Sequence, residues 1–220
     1  SKCTQIRDID GLKGLSNLES LNLGWCTQLE NLDGLEGLTN LQELDLTGCI
    51  QLKDFDGLKH LSYLQRLHLN NCPYLESADC LAGLQFVQSL DLGQCTELTD
   101  VAALSKLTAL VDLNLSSCPK LASVRSLRGL PALRKVNLSK CMQLESTDGL
   151  ESLGALQTLY LNWCPRLTDI GGLRALGSLQ SLSLGNCTRL SNVEGLPDLV
   201  SLVTLNPRGL ASREPLGEVR

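Results

Sequence analysis

Three side chains that could do acid–base or metal chemistry recur at one spacing. Asp45, His68 and Asp91 are each 23 residues apart. If the fold aligns them, a histidine between two carboxylates could move a proton or hold a metal ion. No nucleophile, second histidine or glycine-rich phosphate loop accompanies the row, so a metal- or His-dependent enzyme is the least favoured interpretation. We therefore expect no catalytic residue, no metal ligand and no cofactor.

The same spacing gathers acidic residues. Glu43 lies two residues before Asp45, and Asp112 lies 21 residues after Asp91. If these side chains share one face of the fold, they form an acidic patch around His68 that would attract a basic protein surface. The alternative is a solvated row in which His68 bridges the two flanking acids.

A second group combines aromatic and basic side chains. Tyr160 and Trp163 lie three residues apart, and their basic neighbours at the same or adjoining spacing are Lys135, Lys140 and Arg166. Exposed Trp and Tyr on a rigid surface frequently anchor a protein partner. The alternative is that Trp163 packs over its turn and shields buried side chains, and Trp25, six intervals of 23 residues earlier, favours that alternative.

Eight cysteines also recur every 23 residues: Cys26, Cys49, Cys72, Cys95, Cys118, Cys141, Cys164 and Cys187. A small thiol fills buried space and can donate weakly to a turn carbonyl. Parallel Cβ vectors disfavour disulfides between neighbours, and the absence of a CxxC pair or a nearby histidine disfavours zinc. The spacing predicts a structural cysteine column. Cys80 falls outside it and is interpreted as a small-residue replacement for glycine.

A repeat of 23 residues positions all of these groups. Its pattern is LxxLxLxxCxxLxxΦDGLxxLxx, with Φ apolar, and it begins at Leu18, Leu41, Leu64, Val87, Leu110, Leu133, Leu156 and Leu179. A period of two predicts a strand at positions 3 to 6, and the later period of three predicts a short helical or 3₁₀ turn. Asp at position 16, present in five units, is expected to cap that turn.

The pattern resembles that of the leucine-rich-repeat family, with cysteine-containing 23-residue repeats. The resemblance implies an α/β fold: a curved right-handed solenoid with a parallel β-sheet on the concave face and short 3₁₀ or helical turns on the convex face. CTELTDV and CPRLTDI resemble repeats of F-box-type ubiquitin-ligase adaptors, and LDLTGCIQL resembles repeats of plant intracellular immune receptors. The short outer segment with GLxxL resembles the phosphatase-regulator type.

The repeats predict a single array over residues 1–206. It comprises a partial repeat at 3–17, eight full repeats over 18–201 and a terminal partial repeat at 202–206. Pro207 cannot donate to a strand ladder, so residues 207–220 are interpreted as a degenerate cap or a disordered tail. Array ends expose apolar layers, so we expect end-to-end self-association or fraying at Ile6–Leu15 and near Leu202.

Composition narrows the function. The net charge is −5, with 7 basic and 15 acidic residues in 1–110 and 12 and 9 in 111–220, which disfavours nucleic acid and membrane surfaces as partners. Free cysteines and the lack of a signal peptide favour a cytoplasmic, intracellular location. We expect a protein–protein interaction module or scaffold that binds through its concave face. The alternative is the substrate- or ligand-recognition repeats of a larger ubiquitin-ligase adaptor or intracellular immune receptor.

Overall fold

The computed structural model describes residues 3–191, 193 and 196–209, and within them the chain forms one sheet of nine parallel strands. Each strand spans three residues, because only positions 3 to 5 of a unit are fully extended. The strands are β1 (Ser20–Asn22), β2 (Glu43–Asp45), β3 (Arg66–His68), β4 (Ser89–Asp91), β5 (Asp112–Asn114), β6 (Lys135–Asn137), β7 (Thr158–Tyr160), β8 (Ser181–Ser183) and β9 (Thr204–Asn206).

Strand order follows chain order, and every pair is parallel with a register of 23 residues. Leu21, for example, lies opposite Leu44. The ladder continues past each strand, since the position-6 amide donates to the next unit's position-5 carbonyl, as Leu46 N does to His68 O at 2.8 Å. The predicted strand at positions 3 to 6 is therefore confirmed, with its last residue outside the strand proper.

Opposite the sheet, the chain forms 3₁₀ helices rather than α-helices. They are η1 (Asp10–Leu12), η2 (Asp33–Leu35), η3 (Asp56–His60), η4 (Asp79–Leu81), η5 (Ala102–Lys106), η6 (Arg125–Leu127), η7 (Gly171–Leu173) and η8 (Leu196–Asp198). The connection between successive strands, residues 46–65 between β2 and β3 for example, must leave the strand, turn, cross to the other side of the core and return. It therefore accommodates only short 3₁₀ helices. The parallel sheet backed by 3₁₀ turns confirms the predicted α/β solenoid.

The core is a stack of leucine layers between the sheet and the 3₁₀ row. In the unit 41–63, six leucines have no exposed surface: Leu41, Leu44, Leu46, Leu52, Leu58 and Leu61. Position 15 completes each layer, as Phe55 does in this unit. One unit could not bury these side chains alone, so the fold depends on stacking.

The expected cap at position 16 is wrong. The 3₁₀ helices that begin with Asp10, Asp33 or Asp56 have no side-chain cap from that residue. Instead the side chain at position 14 accepts the position-16 amide, as in Asp54 Oδ1 with Asp56 N at 2.8 Å. Asp, Asn and Ser all do this across eight consecutive units. Because the helix starts at position 16, its preceding polar residue sits where a capping acceptor is needed.

One unit departs from the pattern on the 3₁₀ side. Between η6 and η7, residues 148–149 form a turn, and Gly149 has a φ of 99°. A Cβ there would lie 2.4 Å from Arg125 Cα. Thr147 replaces the usual apolar residue at position 15, and its buried hydroxyl has no hydrogen-bond partner within the described chain. The two ion pairs Arg125–Asp148 and Arg128–Glu151 join this unit to the previous one.

The domain boundary at 206/207 stays a prediction. Residues 207–209 continue into a turn after β9, and residues 210–220 lie outside the described residues. Val200 and Val203, just before β9, are 86% and 84% exposed.

Candidate binding surface

The outward side chains of positions 3 and 5 form one face of the sheet, called here the strand face. Its position-5 residues do a structural task, because their side-chain oxygen accepts the amide two residues later. Asp45 Oδ1 accepts from Thr47 N at 2.9 Å, and Asp91 Oδ1 accepts from Gly93 N at 2.9 Å. Asn22, Asn114, Asn137 and Asn206 make the same bond. The strand exit is thus an Asx turn, and either Asp or Asn satisfies it.

The row Asp45–His68–Asp91 is in register, as predicted, but the histidine does not bridge the acids. Asp45 Oδ2 accepts from Asn22 Nδ2 at 3.1 Å, and Asp91 Oδ1 accepts from Asn114 Nδ2 at 2.8 Å. Both acids therefore turn away from His68, which makes no ion pair with any acid described here. The described residues hold no group of three His, Cys, Asp or Glu side chains arranged to bind a metal ion.

Three more predicted residues form ion pairs across neighbouring strands. Glu43 meets Arg66 at 3.1 Å, and Asp112 meets Lys135 at 3.1 Å. The hydrogen bond from Arg66, supported by its charge, holds the pKa of the Glu43 carboxyl below its usual value. A shallow depression of about 250 Å³ opens beside the second pair, lined in part by His68, Asp91 and Asn114.

Beside the strand face runs a row whose backbone conformation the sequence did not indicate, called here the turn row. It is position 8 of every unit, and all nine members have a φ between 59° and 72° or, at the last, 77°. The members are Trp25, Gly48, Asn71, Gln94, Ser117, Lys140, Trp163, Asn186 and Gly209. From Trp25 to Asn186, the backbone amide at this position donates a hydrogen bond to the position-7 carbonyl of the next unit, over 2.6 to 2.8 Å.

The two tryptophans of the turn row have different surroundings. Trp25 lies against Gly48 of the next unit, so closely that a Cβ on Gly48 would be 2.6 Å from Trp25 Cε3. After Trp163 the same place is held by Asn186, which carries a Cβ. A ring placed as in Trp25 would collide with it. Trp25 is 43% exposed and Trp163 is 54% exposed.

The other predicted residues of the aromatic and basic group are brought together around Trp163. Tyr160 is half-buried in β7, in register with Asn137 and Ser183. Lys140 is exposed in the turn row one unit before Trp163. Arg166 is exposed and directed to its neighbours, with a hydrogen bond to Gln143 and Glu145 at 3.7 Å.

The cysteine column lies directly behind the turn row. From Cys49 to Cys187, each thiol donates to the position-6 carbonyl of the previous unit, over 2.9 to 3.4 Å. Burial raises the pKa of the Cys49, Cys95, Cys118 and Cys141 thiols to about 12. No disulfide joins any cysteine in the part of the chain that the structure describes. Cys80 is half-buried on the 3₁₀ side, where it takes the place of a glycine.

One surface feature has no counterpart in the sequence interpretation. Tyr63 and Phe86, at the last position of two successive units, stack with ring centroids 5.9 Å apart, and both are more than half exposed. The signal that could have found them is the shared repeat position, since neighbours in the array at one position are neighbours in space. They lie at the strand entry, at the opposite edge from the turn row.

Comparison with known proteins identifies the units. A family model described as leucine-rich repeats in two copies matches residues 16–60. Residues 16–60 are leucine-rich repeats. The solved structure of internalin C2 from Listeria monocytogenes strain 4b F2365 is 28% identical, with a TM-score of 0.75 over 89% of this chain and 82% of that one.

A second leucine-rich-repeat structure shows the same fold at lower identity. The repeat domain of the type III effector XopL is 23% identical, with a TM-score of 0.75 over 90% of this chain and 71% of that one. No curated protein sequence matches the chain. Within the described residues the solenoid contains no helix with the length and apolar character that a bilayer span requires.

Proposed function

We propose that this leucine-rich-repeat solenoid is a protein-interaction module, and that its partner binds the strand face and the adjoining turn row. Leucine-rich repeats commonly serve protein–protein interaction, and the fold alone does not name a partner. The observation that carries the proposal is the turn row. The position-8 residues of nine successive units hold one left-handed backbone geometry while their side chains vary from glycine to tryptophan.

Such a surface favours binding because its backbone is already ordered. The strand exits are fixed by Asx turns, and the turn row is fixed by backbone hydrogen bonds between units. A partner therefore meets side chains on a rigid frame and loses less conformational entropy on docking. A few anchors can then set the affinity.

The experiment is capture of partners from a cell extract by the wild-type chain and by matched variants, followed by a binding constant for each captured protein. Asp45→Asn/Asp91→Asn removes two charges but keeps the Asx acceptor, since Asn holds this position in other units. Asp10→Asn/Asp56→Asn makes the same charge change on the 3₁₀ side. The proposal expects a partner whose affinity falls in strand-face or turn-row variants and not in the 3₁₀-side control. Partners sensitive only to the 3₁₀-side change would refute it.

A non-enzymatic role in a reducing, cytoplasmic compartment belongs to the same proposal. Its support is the column of eight buried cysteines, none of which forms a disulfide. Use as a scaffold and end-to-end association near Ile6–Leu15 and Leu202 also stay predictions. Sedimentation of the reduced chain at rising concentration tests the association.

A further inference from the structure

The strand side of the array, which comprises the strand face, the turn row and the flanking residues of positions 1 to 11, is divided by charge along its length. Positions 1 to 11 of the last three full units, residues 133–143, 156–166 and 179–189, contain five basic residues and no Asp or Glu. The basic residues are Arg134, Lys135, Lys140, Arg166 and Arg189. These segments are called here the basic end. The same positions in the first four full units contain five acidic residues, Glu19, Glu43, Asp45, Asp91 and Glu97, and one basic residue, Arg66.

Part of the positive charge at the basic end is available to a partner. Lys135 is paired with Asp112 of the previous unit, and Arg166 is shared between Gln143 and Glu145. Lys140 and Arg134 have no ion-pair partner among the described residues. Lys140 stands in the turn row, next to Trp163.

Trp163 differs from Trp25 in having no glycine to lie on. The glycine beneath Trp25 leaves room for its ring, whereas Asn186 occupies the matching place in the next unit. A bulky residue in a left-handed conformation costs free energy, and such strain tends to persist where a site uses it. Trp25 and Trp163 both carry that cost, at φ values of 64° and 61°. Trp163 leaves more of its surface exposed, 54% against 43%.

We infer that the basic end binds an extended acidic protein segment, with Trp163 and Tyr160 as apolar anchors and Lys140 and Arg134 as its charge contacts. The inference rests on the proposed function and names the class of partner for one part of that surface. The acidic end repels such a segment, so the bound chain lies over units 133–201 only. Trp25 takes no part, because its ring already covers the neighbouring turn.

The test uses the full chain and a phage-displayed library of random peptides about 12 residues long, selected on the wild-type protein. Selected peptides are expected to carry net negative charge. Their affinity is then measured with synthetic peptides at several salt concentrations. Electrostatic attraction predicts that affinity falls as salt rises.

Variants that the array itself tolerates locate the peptide. Trp163→Asn installs the residue found at the same position in Asn71 and Asn186, and Lys140→Gln installs the residue of Gln94. Loss of an aromatic anchor should weaken binding by about 30-fold or more, and loss of Lys140 by several-fold with a weaker salt dependence. Trp25→Asn is the matched control and should leave affinity within about two-fold. In Trp25→Phe, Trp163 is the only tryptophan, so its fluorescence should change on peptide binding.

The outcomes separate this inference from the proposed function. Peptides that are neutral or basic, or that bind Trp163→Asn as well as wild type, overturn the inference. If such peptides are lost in Asp45→Asn/Asp91→Asn, the strand face still binds and the proposed function survives. If no variant of either face affects them, or if the folded chain selects no peptide above the level of the unfolded chain, both are overturned.

Discussion

Two columns of residues, adjacent in sequence, run the length of the solenoid and obey opposite rules. Position 9 is cysteine in all eight full units and is always buried, and from Cys49 onward its thiol donates a hydrogen bond to the previous unit. Position 8, one residue earlier, has the rarer backbone conformation but accepts Trp, Gly, Asn, Gln, Ser and Lys. One column fixes the side chain, and the other fixes only the backbone.

The difference shows what the fold requires at each place. At position 9 the space is closed by neighbouring layers, so volume and a weak donor decide the residue. At position 8 the hydrogen bond from the backbone amide to the next unit holds the left-handed turn whatever side chain is attached. The strain is paid by stacking, and the side chain is free to face a partner.

The largest expected effect is a loss in the free energy of unfolding at high pH, caused by the buried cysteine column. Burial raises four thiol pKa values to about 12 from an unfolded value of 9.0. The folded state therefore holds protons that the unfolded state releases, so stability is intact below pH 9 and falls between about pH 9 and 12. At about 1.4 kcal/mol per pH unit per thiol, four thiols lose about 5 kcal/mol per unit.

Urea unfolding of the reduced protein from pH 8 to 11 measures this loss. Cys95→Ala/Cys118→Ala should halve the slope contributed by these thiols. A free energy of unfolding that stays constant up to pH 10.5 would show that the column opens to solvent.

Overfilling the column should cost less. Cys118→Val adds a branched side chain at a site with no exposed surface and removes the bond to Leu92 O at 3.2 Å. We expect a loss of about 1 to 3 kcal/mol in the free energy of unfolding, measured by urea denaturation. Cys118→Ala, which overfills nothing, is the control and should lose less; equal losses would mean that the thiol bond, not the volume, matters.

The one glycine under a tryptophan should be the sensitive member of the turn row. In Gly48→Ala the alanine must keep a φ of 72°, and its Cβ would press on the Trp25 ring. We expect a loss of about 1 to 2 kcal/mol. In a Trp25→Asn background only the backbone part of the cost remains, so the effect should shrink. An unchanged effect in that background would remove the ring from the explanation.

Elsewhere in the turn row the side chain should hardly matter for stability. Ser117→Gly removes the conformational strain of a left-handed serine, about 1 kcal/mol. It also raises the entropy of the unfolded chain, which lowers stability by a comparable amount. The free energy of unfolding is expected to change by no more than about 0.5 kcal/mol, next to a cysteine whose replacement is costly. A loss above about 1.5 kcal/mol by thermal or urea unfolding would contradict the rule for position 8.

The sequence was sufficient for the fold because its period is visible. Leucine spacing gave the strand, the short outer segment gave the 3₁₀ turn, and the cysteine spacing gave the column. The cap was misplaced because Asp at position 16 is the more regular residue, while the actual acceptor at position 14 changes between Asp, Asn and Ser.

The candidate site was harder to predict. The repeat predicts that Tyr160 lies beside Asn137 and Lys140 beside Trp163, and the register of β6 and β7 agrees with it. That these residues bind a partner stays a prediction. The positive φ of the turn row could not be predicted from the sequence, because Trp and Lys do not indicate a left-handed backbone. Nor could the sequence show that Asp45 and Asp91 turn toward asparagines rather than toward His68. The direction of each carboxylate depends on which neighbouring donor it accepts from. The repeat spacing alone does not decide between those donors.

The unbroken 23-residue period makes the solenoid a ruler. Removing one whole unit, such as 64–86, would leave every later turn in the same orientation but shift it by one strand spacing, about 4.8 Å. The separation between the acidic and basic regions is therefore a countable length, adjustable in fixed steps at the cost of side-chain pairs such as Glu43–Arg66. A partner that touches both regions would be selected by its own length as well as by its charge.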